Sequence, residues 1–118
     1  MADISKRNKA NKAKGAAAEK AVVEYLNRWW PLAERRRLTG AWDKGDISGI
    51  PGTVLEVKNE KTIRLAQYMK ELDVEMANAK ADIGAVIVKK RGTSDVGEWY
   101  AVMPVRELIH LYRIYHDV

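Results

Sequence analysis

A chain of 118 residues and 13.4 kDa is long enough for one modest domain and too short for two. Hydrophobic residues at 47% and charged residues at 31% have the balance of a globular protein, which excludes a wholly disordered chain. The formal charge of +5 is uneven: residues 1–20 hold six Lys or Arg against Asp3 and Glu19, whereas the other 98 residues carry 15 basic and 14 acidic groups.

No apolar run reaches the roughly 20 residues that span a bilayer, so a transmembrane protein is not expected. The N-terminal charges lack an apolar stretch behind them, so a secretory signal is not expected either. The absence of cysteine rules out a disulfide framework, a thiolate metal site and a thiol nucleophile, and it fits a cytoplasmic protein.

Residues 1–14 are polar and basic, without apolar period, and predict a flexible N-terminal arm. Its Lys6, Arg7, Lys9, Lys12 and Lys14 suit a polyanion, because each phosphate neutralised releases counterions; a solvated tail that only aids solubility is the other reading. An amphipathic helix is expected from Gly15 to Trp30, stopped by Pro31, with Val22, Val23, Leu26 and Trp30 as its apolar stripe.

Residues 33–39 read as a first strand, residues 40–45 as a turn, and Asp46-Ile47-Ser48 as the start of a second strand. Gly49-Ile50-Pro51-Gly52 is turn chemistry. Thr53 to Lys58, β-branched and bounded by that Pro-Gly turn, is the best strand in the chain. A helix follows from about Thr62 to Ala81, with Leu65, Met69, Leu72 and Met76 in phase. Ala85 to Val88 predicts a buried strand, Gly92 to Gly97 a polar loop and Trp99 to Met103 a last strand. Pro104 then opens a C-terminal helix. The order α-β-β-β-α-β-β-α predicts an α/β or α+β single domain with a mixed sheet flanked by helices.

Within Thr53–Lys58 the side chains alternate, so Glu56 and Lys58 share one face about 6.6 Å apart along the strand. A hairpin would return Asp46, ten residues before Glu56, to its side. Two carboxylates with nearby main-chain carbonyls form a hard, oxygen-rich site suited to Mg²⁺ or Mn²⁺. Such an ion activates water and neutralises charge on a phosphoryl group, while a lysine beside it orients that water or stabilises the transition state. The bland alternative for Glu56 and Lys58 is an ion pair on a wet edge strand, worth little. Glu19 lies on the apolar stripe of the first helix, where a carboxylate needs a partner such as a metal or its water, unless it escapes to solvent.

This set resembles the PD-(D/E)XK nuclease superfamily and, within it, the small Holliday junction resolvases of archaea and phages. The carrying residues are Gly15 and Glu19, the run Arg37-Leu38-Thr39-Gly40, Gly45-Asp46-Ile47, and Glu56-Val57-Lys58, with the similarity spanning roughly residues 14–105. The resemblance implies a restriction-endonuclease-like domain over residues 15–118, with Asp46 and Glu56 as metal ligands. It further implies Lys58 as catalytic lysine, Glu19 as a metal-associated carboxylate, and a homodimer that cuts DNA at four-way junctions. The Val57 carbonyl is expected as a third ligand. A departure from the superfamily name is Gly45, which stands where the name has Pro.

Arg35, Arg36, Arg37 and Lys44 lead into the proposed site as phosphate contacts, although strand alternation sets Arg36 against its neighbours. Trp42 is a candidate to stack on an unpaired base, or else plugs the edge of the domain. Gln67, His110 and His116 read as structural or surface residues, and Glu71, Asp73 and Glu75 as a solvent-facing acidic cluster turned away from DNA. Neither a small-molecule cofactor nor a membrane partner is expected.

Overall fold

The computed structural model describes residues 2–36 and 43–118, with side chains from Lys6 onward. In chain order the elements are α1 (Ala2–Leu26), β1 (Glu34–Arg35), β2 (Ile47–Ser48), β3 (Thr53–Lys58), α2 (Leu65–Ala79), β4 (Ile83–Val88), a 3₁₀ turn (Val96–Glu98), β5 (Tyr100–Val102) and α3 (Val105–His116). The expected order of helices and strands is present, in an α+β domain. Its strands form two sheets rather than one: β1 pairs antiparallel with β2, while β3, β4 and β5 form a mixed sheet in that order. No helix among the described residues is long and apolar enough to cross a membrane.

The first helix differs most from expectation. It begins at Ala2 instead of Gly15, so the basic segment is helical, with residues 6–14 all exposed. Ala, Lys and Arg are good helix formers, and the segment contains no proline to stop them. The helix also ends early. The Asn27 amide donates to the Trp30 and Ala33 carbonyls at 3.1 and 2.9 Å, turning the chain before Pro31 is reached. Trp29 and Trp30 are therefore exposed in that turn, and Trp30 does not belong to the buried stripe.

Strand β3 lies between two helices. Leu55 and Val57 face α1 in an apolar cluster with Ala18, Val22, Ile47 and Trp99. Val54 faces α2 in a second cluster with Tyr68, Leu72, Val86 and Val88. The parallel pairing of β3 with β4 needs a crossover, which α2 supplies. Lys80 closes α2 in the left-handed conformation, one residue before the predicted end. The buried line of α2 is Tyr68, Leu72 and Glu75; Leu65, expected on that stripe, is half-exposed.

The two sheets meet at Asp46. Its carbonyl accepts from the Arg36 N–H at 2.8 Å, and its own N–H donates to the Leu55 carbonyl at 2.9 Å. Gly45 makes this possible with a φ of +94°, where a Cβ would sit 3.0 Å from Val54. Proline is locked near −65° and could not take this position. Gly49 is as constrained, since a Cβ there would fall 2.2 Å from the Leu32 carbonyl oxygen.

Candidate metal centre

Asp46 is bound to β3 by its side chain as well as its backbone. Its Oδ2 accepts from the Val57 N–H at 2.7 Å. The N–H and C=O of a strand residue point to the same edge, and those of the next residue to the other. Asp46 takes up the Leu55 carbonyl and the Val57 N–H, whereas the Lys58 carbonyl faces β4 and accepts from the Lys89 N–H at 2.9 Å. The Val57 carbonyl therefore lies on the Asp46 edge.

Glu56 projects from β3 toward α2 and is 7% exposed, far from the wet edge that an ordinary Glu–Lys pair would occupy. Its Oε1 is buried without a hydrogen-bond partner, as is Oε2 of Glu75. Burial first, then the charge of Asp46 and a shared hydrogen bond with it, push the Glu56 carboxyl far above the usual carboxylate range. Burial is also the leading cause of the rise at Glu75, with Asp43 and Asp46 adding repulsion and its hydrogen bond to Glu56 opposing it. One carboxylate oxygen each from Asp43, Glu56 and Glu75 lie within 4.8 Å of one another. Asp43 is held at the rim by Asn78, whose amide donates to the Asp43 carbonyl at 2.8 Å.

Lys58 completes the cluster. Its Nζ lies 2.9 Å from Glu71, 3.8 Å from Glu56 and 5.2 Å from the centre of the Tyr68 ring. Burial alone would lower its pKa, but the hydrogen bond and charge of Glu71, with Glu56 and Glu60, outweigh burial and raise it. Lys58 is thus a fixed ammonium. Gln67 steadies the arrangement by donating to the other Glu71 oxygen at 3.0 Å.

The expectation for the acidic residues of α2 needs correction. Glu71 and Glu75 face β3 and its charged groups, and only Asp73 is on the solvent side, paired with Arg106. The helical phase was the available signal: Glu75 follows buried Leu72 by three residues and Tyr68 by seven.

Glu19 also reaches this region, but the partner it has is Arg35. The guanidinium donates twice to Glu19 Oε2, at 3.1 Å from Nε and 2.9 Å from Nη2. Burial, followed by the charge of Asp46, raises the Glu19 pKa against the lowering influence of Arg35. Arg35 is therefore engaged by a carboxylate while half its side chain stays exposed. Arg36 is half-buried, with an Nε that has no partner. Lys44 is exposed beside the site, as are Lys6, Arg7, Lys9, Lys12 and Lys14 along the first half of α1. Arg37 and Trp42 lie outside the described residues. His110 and His116 are exposed on α3.

The donors gathered here are all oxygens, and two of them are buried without partners. The only ammonium in the cluster is already paired with Glu71. That composition fits a hard divalent cation and gives no place to a soft one. What the geometry defines is an α+β domain with an oxygen-rich carboxylate cluster between a strand edge and a helix. Compared with protein-family models, with curated proteins and with solved structures, the chain matches none of them.

Proposed function

We propose that the chain is a Mg²⁺-dependent DNA endonuclease of the PD-(D/E)XK type, acting as a Holliday junction resolvase. The observation that carries this reading is the meeting of Asp46, Glu56 and Lys58 at β3, with a buried Glu56 oxygen left unpartnered. Asp46, Glu56 and the Val57 carbonyl are the groups that would hold the cation, with Glu75 and Asp43 able to enter its oxygen shell. When bound, Mg²⁺, or Mn²⁺ in its place, lowers the pKa of a water and neutralises charge on a phosphoryl group.

Each remaining role belongs to the chain itself. Lys58 places a positive charge next to Glu56, where it stabilises negative charge developing on the scissile phosphate. Glu71, braced by Gln67, holds that ammonium in position. Glu19 and Arg35 flank Asp46 as a second charged layer. Lys44, Arg36 and the basic half of α1 are suited to phosphate contacts that carry no sequence information, with Arg37 and Trp42 proposed alongside them. Cutting two strands symmetrically requires two such sites, hence a homodimer.

A labelled four-way junction and a matched linear duplex, incubated with the protein in Mg²⁺, test the reading. Preferential, paired cuts in the junction are expected. Equal cutting of both substrates would remove the resolvase assignment and leave a repair, nicking or restriction-type nuclease; no cutting of either, in Mg²⁺ or Mn²⁺, would leave a binding module.

A further inference from the structure

Two neighbouring clefts open beyond Lys58, at the ends of β3 and β4. The first lies between α1 and the loop after β3, and the second between that loop and the loop after β4. Asn59, Glu60, Lys61 and Lys14 line both, so they form one continuous groove. It lies outside the carboxyl ends of a parallel strand pair, the usual ligand position in sheets of this kind. Two bonds pin its walls together. The Lys89 N–H donates to the Lys58 carbonyl at 2.9 Å, and Arg91 Nη2 donates to the Lys61 carbonyl at 3.4 Å.

The lining is strongly cationic: Lys14, Lys61, Arg64, Lys89, Lys90 and Arg91 face it, against Glu60 alone. None of the six is ion-paired with a carboxylate among the described residues. Glu60 is itself engaged by the Tyr68 hydroxyl. Tyr100, half-exposed at the start of β5, and the exposed Ile63 add an apolar platform to the same groove. A cationic track with an accessible aromatic ring has the composition that holds a single strand, whose phosphates meet the cations while a base stacks on the ring. A duplex would leave Tyr100 unused, because its base faces are hidden in the stack.

We propose that this groove binds an unpaired DNA strand running away from the Lys58 end of the carboxylate cluster, with Tyr100 as the base platform. The proposal rests on the nuclease reading only for where the strand leads. It makes the preferred junction one whose branch point opens into an unpaired segment next to the scissile phosphate.

The test is fluorescence anisotropy in EDTA with a labelled single strand, a four-way junction and a linear duplex. Wild-type chain is compared with Tyr100→Ala, Tyr100→Phe and the double variant Lys90→Glu/Arg91→Glu. Tyr100→Ala is expected to weaken single-strand binding about tenfold while Tyr100→Phe and duplex affinity stay near wild type. The double variant is expected to lower the salt slope of single-strand binding by about 1.4. Unchanged single-strand affinity in Tyr100→Ala, an equal loss on duplex, or an unchanged salt slope would each overturn the proposal. Thermal melts and Mn²⁺ titration of the same variants separate loss of the groove from loss of the fold. If the nuclease reading alone fails, wild-type chain does not cut DNA in Mg²⁺ or Mn²⁺ and the anisotropy differences persist.

Discussion

The two faces of β3 are built from alternate residues of one six-residue strand, yet they do opposite work. Toward α1, Leu55 and Val57 meet Ala18 and Val22, an apolar contact that stabilises the domain by removing surface from water. Toward α2, Glu56 and Lys58 meet Glu71 and Glu75, and two buried carboxylate oxygens remain without partners. Burial of that kind is unfavourable, and mutual repulsion adds to it. The Leu55 and Val57 side chains serve only the fold, whereas the α2 face adds to the buried Val54 a charged cluster kept in place at the expense of stability.

The sharpest way to break the comparison is to separate activity from stability at Glu56. Glu56→Gln should reduce DNA cleavage in Mg²⁺ by about a thousandfold or more, since it removes a ligand charge, while the metal-free melting temperature holds or rises. A melting temperature that fell by more than about 5 °C would mean that the charged face is structural after all. The opposite pattern belongs to the α1 face. Val22→Ala should cost about 2 kcal/mol in urea unfolding while leaving cation affinity in the folded protein near wild type.

A pH series sharpens the same contrast. Glu56 and Glu75 have folded-state pKa values raised above the ordinary 4.5, Glu75 to about 7. The folded chain therefore retains protons that the unfolded chain has lost. That contribution is fully present below about 4.5 and is lost as pH rises through the folded value. Metal-free protein should melt about 5 °C lower at pH 8 than at pH 5, measured by calorimetry or circular dichroism. Mg²⁺ should restore the difference at pH 8 and do little at pH 5, where it competes with the protons.

The smallest expected effect is at Glu71. Glu71→Gln removes the charge nearest Lys58 without emptying the space, so the Lys58 pKa should fall, detectable by NMR titration of its Nζ region. Melting should change little, by about 0.5 kcal/mol, as for most partly exposed ion pairs.

Much of this arrangement was legible in the chain. Thr53–Lys58 has the predicted bounds because β-branched residues follow a Pro-Gly turn, and its alternation placed Glu56 and Lys58 on one face. The approach of Asp46 to β3 followed from the short connection between them. Other features were not legible, for identifiable reasons. Glu75 reads as a surface residue by type, and only the packing of α2 on β3 turns it inward. Lys61, Arg64, Lys89, Lys90 and Arg91 read as a nearly balanced charge background, because in sequence they are diluted by distant carboxylates.

The sequence by itself determined the order of elements, the bounds of the strand that carries Glu56 and Lys58, and the presence of Asp46 beside it. These depend on local periodicity and residue type, which a linear reading contains. Tertiary structure alone decided that Glu71 and Glu75 join the cluster, that Arg35 pairs with Glu19, and that dispersed cations line one groove. Those outcomes depend on which helix face and which loop ends are brought together, and only the closing of α1 and α2 over the two faces of β3 sets that.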